Sequence, residues 1–496
     1  MSATAANITD RWSSPPRALT LLALWLLATM GARPLLLPDE GRYANVARDM
    51  LLHGEWLTPL LNGLPFFHKP PLFYWLDMGA MAVFGVNPFS ARFASFVGAW
   101  VMGAALFFAA RRWHGERAAA VALLVLASCP FFFGAAQYAN LDMLVGGLIA
   151  AAVLAFVRAV DDVSVPLRWV VAAWCLAALA VLAKGLIGVV LPALIVAPWL
   201  LAQRRWRELL RLLHPLGLLA FAILALPWFV AMQQRYAGFF DYFIVEQHFR
   251  RFALMTFNNV RPAWFFVVML PLVTLPWSAW LPLAWRERAA MPPARLALYL
   301  WWVVVVVGFF SLPSSKLIGY VLPALAPWCL LLSLGVARHP RGLRVTLALS
   351  ALASLALVGA LAWKAPHSSR PAAAALAARI APGDRVVFVD HMFYDLPFYA
   401  GLTQPPIVAS DWADPLLPQH DNWRKELYDA GRFDIERARE LLWPIERLAE
   451  LTCHSHAVWF VLKPSDAARV AALPGATTVH VDADALLVHA SGRRCS

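Results

Sequence analysis

The chain has 496 residues, of which 61% are hydrophobic and only 15% charged, with a formal net charge of +12. Soluble domains carry roughly 25% charged residues, so the composition excludes an ordinary water-soluble globule and predicts a polytopic α-helical membrane protein. The excess of cations does not mark a nucleic-acid partner, because the cations punctuate apolar runs and form no basic face on a soluble surface.

Runs of the roughly 17–25 apolar residues that cross a bilayer as a helix recur from Ala18 to Trp363, about eleven in all. They lie near 18–37, 91–110, 118–136, 142–158, 169–183, 186–202, 211–232, 263–285, 295–312, 318–336 and 344–363. Basic clusters at Arg11 and Arg17, Arg111 to Arg117, Arg158 and Arg168, 203–211, Arg286 to Arg295 and 338–344 then fall on one side. Short cytoplasmic loops retain Lys and Arg, which makes that side the cytoplasm. The exported side receives 38–90, 137–141, the turn at Lys184, 233–262, 311–317 and everything after Trp363. The first run, longer than a signal-peptide core, reads as an anchor that stays and not as a cleaved leader.

The exported loop 38–90 is too polar for a span and too apolar for a solvated linker. From Tyr43, apolar residues at Val46, Ala47, Met50 and Leu51 follow helical spacing, and Gly54 supplies a stop. This predicts an amphipathic helix lying in the membrane interface, with Asp39 as its N-cap after Pro38. A second interfacial helix is expected from Leu72, where the aromatics of "LFYWLDMGAMAVFG" suit the headgroup level.

After Trp363 the composition changes. "RVVFV", "AVWFVL" and "TTVHVDADALLVHA" read as strands, separated by helical stretches such as "DIERARELLWPIERLAEL". The domains expected are thus a membrane domain over 1–365 and an exported α/β domain over 366–496. Cys129, Cys175 and Cys329 fall inside spans, where thiols behave as small apolar groups. Cys453 and Cys495 lie in the exported tail, where a disulfide between them would persist.

Ionisable groups near the exported face come from six segments: Asp39, Glu40, Arg42, His68, Lys69, Asp142, Lys184, Glu246, His248, Arg250, Arg251, Arg261 and Lys316. Charges at membrane depth are costly and face protein interiors or watery cavities, so together they suggest a functional site. Each has a plainer role beside that one. Asp39 serves equally as a helix cap, Asp142 caps the fourth span, Lys184 snorkels to the interface, and Arg250 and Arg251 lie partly on the surface. His248 is as well read as an interfacial hydrogen-bonding residue as a metal ligand, since no closely spaced His/Cys set exists.

In order, "PDEGRY" (38–43), "FFHKPPLFYWL" (66–76), "NLDM" (140–143), "LAKGLIG" (182–188), "VEQHFRRF" (245–252) and "SSKLIGYVLPALAPW" (314–328) resemble the motifs of the bacterial polyprenyl-phosphate-dependent glycosyltransferases. The aminoarabinose transferases of lipid A typify that family, which belongs to the GT-C class of multi-span enzymes. The resemblance covers 18 to about 336. It implies a GT-C-like fold in the inner membrane with its catalytic face and C-terminal domain in the periplasm. It implies Asp39 as the catalytic acid residue and Lys69, Arg251 and Tyr320, with Arg42 nearby, as contacts of the donor phosphate. Where the family usually carries a Glu associated with a metal, this chain has His68, so no metal is carried over; a divalent ion is permitted but not required.

The chemistry expected is a single, inverting displacement. Asp39 takes the acceptor proton as general base, and fixed cations stabilise the departing lipid phosphate. The partners implied are a polyprenyl-phosphate sugar and a cell-envelope lipid or glycan such as lipid A. Transfer to a protein hydroxyl is the alternative within the class, and a secondary transporter, which would also bury charges among many spans, is the alternative outside it.

Overall fold

The computed structural model describes residues 12, 14–161, 166–250, 259–364, 367–419, 421–453 and 456–492, with the backbone alone at 248–250. Among them, seven helices are long and apolar enough to cross a membrane, and two bent pairs raise the number to nine. Two shorter apolar helices, Pro15–Leu27 and Ile187–Ala202, fill the other two of the eleven expected places.

The bent pairs depart from the straight runs expected near 118–136 and 263–285. Glu116–Ser128 meets Pro130–Ala136 at 66°, and Phe265–Val273 meets Trp277–Ala290 at 98°. A proline stands at each break, Pro130 and Pro276. Proline lacks an N–H and pushes the residue before it out of the helical region; Cys129 is accordingly extended, with ψ 121°. The first run also ends early, at Leu27, because Gly31, Pro34 and Pro38 follow.

The helix predicted after Pro38 is present as Asp39–His53 and stops at Gly54, whose φ of 62° is the left-handed conformation glycine adopts freely. Its surroundings differ from expectation. The helix does not lie with one face open at the interface, for Asn45, Arg48 and Asp49 on its polar side are also buried. The C-terminal part covers that side. Arg48 Nη2 donates to the Leu402 carbonyl, and a Cβ at Gly41 would lie only 3.1 Å from the Asp395 nitrogen. The second expected helix, Leu72–Phe84, buries Asp77, whose Oδ1 accepts the Ala94 N–H at 2.8 Å.

Strands β1 (Leu60–Leu61) and β2 (Leu64–Pro65) form a small hairpin within the loop 38–90. The tail carries β3 (Arg385–Val389), β4 (Ile407–Ser410), β5 (Leu442–Pro444), β6 (Val458–Leu462), β7 (Ala476–Val481) and β8 (Leu486–Ala490) in the spatial order β5-β4-β3-β6-β8-β7. The first four in that order run parallel, and β8 and β7 add antiparallel pairs. Alternation splits β3: Val386 and Phe388 pack with the core shared by the helices, while Val387 and Val389 face a separate core with Phe460 and Leu462. The continuous helical stretch expected over 434–451 is instead Ile435–Leu441, then β5, then a 3-10 turn over Ile445–Thr452; Pro444 ends helical hydrogen bonding there. Cys453 is disulfide-bonded, and Cys495 lies outside the described residues.

Several hydrogen bonds dock the tail onto the segment 35–62. The Leu35 N–H donates to Tyr399 Oη at 2.7 Å, and Asn62 Nδ2 donates to the Pro406 carbonyl at 2.9 Å.

Candidate active site

Pro38, not Asp39, occupies the N-cap position, and no side chain caps the helix. Asp39 is already in the first helical turn, which corrects the expected cap. Its oxygens go to side chains: Arg42 Nη2 donates to Oδ1 at 2.5 Å, and Asn140 Nδ2 donates to Oδ2 at 3.3 Å. Its side chain stays 26% exposed.

Glu40, one residue on, is fully buried. Arg33 Nη1 donates to it at 2.5 Å and Arg92 Nε at 2.8 Å, and the N–H groups of Leu36 and Ala139 each donate at 2.8 Å. Burial alone would raise its pKa, but Arg92 and Arg33 outweigh burial and hold the carboxyl down to about 2. Its oxygens are committed to tying the loop to the bundle.

Arg42 reaches past Asp39 to Glu426, on the helix Trp423–Gly431, and its guanidinium lies 5.8 Å from the Tyr394 ring centroid. Asp142 pairs with Lys184, whose Nζ lies 4.8 Å from the Tyr320 ring centroid. Two expectations change here. The cap of Leu141–Ala159 is Asn140, whose side chain accepts the Asp142 N–H at 2.9 Å. Lys184 does not snorkel, because Asp142 draws it inward to 15% exposure. Gly319, beside Tyr320, permits this approach: a Cβ there would lie 2.5 Å from Asp142 Oδ2.

The remaining candidates are spread out. Lys316 is buried, and its Nζ donates to the Arg261 carbonyl at 3.0 Å and to the Pro313 carbonyl. Glu246 accepts from Lys425 at 3.1 Å. The His68 ring stacks on Phe66 at 4.5 Å and lies 6.0 Å from the Tyr242 ring, and Lys69 beside it is half-buried. Arg251 and the side chain of His248 lie outside the described residues. Among the described residues no three His, Cys, Asp or Glu side chains are grouped to hold one metal ion.

Asp39 lines two cavities. One, of about 400 Å³, is walled mainly by apolar side chains of the bundle, including Phe131, Met143, Leu322 and Leu361, with Asp142 beside Asp39 at its polar end. The other, of about 710 Å³, lies between the loop 38–90 and the tail and is lined by Arg42, Glu426 and Lys463 together with Leu37, Phe393 and Trp423 among others. A carboxylate thus stands where a greasy space meets one that also carries charged side chains. Glu426, Tyr394, Arg33 and Arg92 were missed in the sequence. Arg92, opening a long apolar run, carried a signal as a charge placed at membrane depth; Glu426, in an ordinary amphipathic helix far along the chain, carried none.

A family model described as dolichyl-phosphate-mannose-protein mannosyltransferase matches residues 68–230. The undecaprenyl phosphate-alpha-4-amino-4-deoxy-L-arabinose arabinosyl transferase of Pseudomonas aeruginosa PAO1 is 37% identical over 358 residues, covering 68% of this chain and 64% of that protein. The chain thus matches somewhat less than two thirds of that relative's length. The crystal structure of ArnT from Cupriavidus metallidurans bound to undecaprenyl phosphate superposes with a TM-score of 0.83 at 24% identity, covering 95% of this chain and 97% of that one. The archaeal oligosaccharyltransferase AglB from Archaeoglobus fulgidus shares the fold more distantly, with a TM-score of 0.51 at 12% identity, covering 92% of this chain and 70% of that one.

By fold and matched sequence, the chain belongs to the GT-C class of multi-pass membrane proteins. Within that class it belongs to the family of the bacterial undecaprenyl-phosphate aminoarabinosyl transferases.

Proposed function

We propose that this protein is an inverting glycosyltransferase of the bacterial inner membrane, moving a sugar from an undecaprenyl-phosphate-type donor to a cell-envelope acceptor such as lipid A on the periplasmic face. The observation that carries this reading is the position of Asp39 at the join of an apolar cavity and a cleft that carries charged side chains. A lipid tail is accommodated among the helices and sugar headgroups in the cleft, so the bond to be made and the bond to be broken meet beside one carboxylate. The relatives' names support an undecaprenyl phosphate carrier and make 4-amino-4-deoxy-L-arabinose the first sugar to try.

In this reading Asp39 accepts the proton of the attacking acceptor group as the anomeric carbon changes partner, within the hydrogen-bond reach a general base needs. Lys69, Arg251 and Tyr320 hold the phosphate that leaves, with Arg42 adding positive charge beside the reacting centre. Fixed cations of this kind stabilise charge that develops in the transition state without reorganising. Glu40, fully committed to Arg33 and Arg92, takes no part in proton transfer.

The test incubates purified protein with a panel of polyprenyl-phosphate sugars and envelope extracts, followed by mass spectrometry of both lipids and proteins. The reading expects one sugar mass added to a lipid or glycan. Sugar appearing only on protein would move the acceptor to the protein class, and no transfer from any donor would overturn the reading.

A further inference from the structure

Arg42 is shared between two carboxylates. Its Nη2 donates to Asp39 Oδ1 at 2.5 Å, and its Nη1 donates to Glu426 Oε1. Glu426 is buried and itself held, for Tyr394 Oη donates to its other oxygen at 2.5 Å. A guanidinium is a planar fork that grips a carboxylate through two parallel bonds, either with its two Nη arms or with Nε and Nη2. Here Glu426 takes Nη1, which closes the first of these forks, and Nε is buried without a hydrogen-bond partner among the described residues. Asp39 meets Arg42 through one nitrogen, and among the described residues Oδ2 keeps only Asn140 at 3.3 Å, longer than the roughly 2.9–3.0 Å usual for such bonds.

We propose that Glu426, contributed by the C-terminal part of the chain, is a positioning residue for sugar transfer: by holding Nη1 of Arg42 it removes the two-armed grip and sets the guanidinium so that Nη2 alone meets Asp39, leaving one oxygen open to the acceptor. The inference rests on the reading of Asp39 as the base. It makes the tail part of the catalytic arrangement and not only a cover over the cleft. Tyr394 completes the device by fixing where Glu426 points.

Glu426→Gln tests this directly, since the amide keeps the size of the side chain and an acceptor for Tyr394 but removes the charge that competes for Arg42. The expected result is a kcat lower by roughly tenfold or more, with KM for the lipid-linked sugar changed by less than about twofold and the melting temperature in detergent unchanged. Glu426→Asp, which keeps the charge, recovers part of the loss, and Tyr394→Phe costs less than Glu426→Gln. In an Arg42→Gln background, where no fork remains to be held, Glu426→Gln costs nothing further. Wild-type kcat in Glu426→Gln, an equal loss with and without Arg42, or a loss that tracks a lowered melting temperature overturns the inference. Failure of the underlying reading shows separately, as transfer that survives Asp39→Asn.

Discussion

Asp39 and Glu40 are adjacent acids with different surroundings. Asp39 faces two cavities, and Glu40 faces two arginines and two backbone N–H groups. Removing one partner of a buried ion pair leaves uncompensated charge, which costs roughly 3–5 kcal/mol. Glu40→Gln is therefore expected to lower the melting temperature in detergent sharply, whereas Asp39→Asn leaves it near wild type and removes transfer. The buried acids also set a pH dependence. Glu40 is held down to about 2 from 4.5, so the unfolded chain binds the extra proton and stability rises with pH across that window. Burial pushes Asp49 and Asp395 up to about 6 from 3.8, so there the folded chain holds the proton and stability falls as pH rises from about 3.8 to 6. A scan of melting temperature should rise and then fall across the acid range, and Asp49→Asn with Asp395→Asn should flatten the falling limb. Asp39 was legible because it follows "LLLP" and opens a motif with Arg42. The roles of Arg33 and Arg92 were not, because the partner each needs is distant in sequence or hidden by an intervening turn.

Periodicity showed that a helix follows Pro38 and where it stops, since Tyr43, Val46, Ala47, Met50 and Leu51 repeat on one face and Gly54 ends it. It did not show that the polar face is buried too, because the cover comes from residues beyond 390. The breaks at Pro130 and Pro276 were hidden within apolar runs long enough to span; hydropathy sums over a bend without registering it. Strand β4 was unforeseen, being four residues after two prolines, and β5 was masked by the helix formers on either side of it. One close approach between elements is open to test. The turn holding Gly319 comes so near the start of Leu141–Ala159 that an added Cβ meets Asp142. Gly319→Ala is expected to disturb the Asp142–Lys184 pair and cut transfer by roughly tenfold or more, as displacements of about 1 Å do, while an Ala at Gly359, which meets nothing within 4 Å, leaves activity unchanged. Comparing the two initial rates checks this.

At the scale of the whole molecule, the apolar bundle and the α/β tail act as one piece. Val386 and Phe388 of the sheet pack into the same core as the helices, while Arg42, Arg48 and Asn62 of the loop 38–90 bond to the tail. Ending the chain at residue 364 should therefore expose the amides of Asp39–His53 to hydrogen exchange, because burial there depends on the tail; unchanged protection would show that the bundle alone orders the helix. The membrane class and the ordered motifs were readable from sequence, since both rest on local patterns. The junction of two cavities at Asp39 was not, since it needs the tail folded over the loop. The most direct measurement is the rate of sugar transfer from a polyprenyl-phosphate donor, at saturating donor and acceptor, for wild type and Asp39→Asn with matched melting temperatures. Transfer by the wild type and its loss by roughly two to four orders of magnitude in the variant, the usual range for a general base, is the predicted result. Equal rates from the two proteins would contradict it.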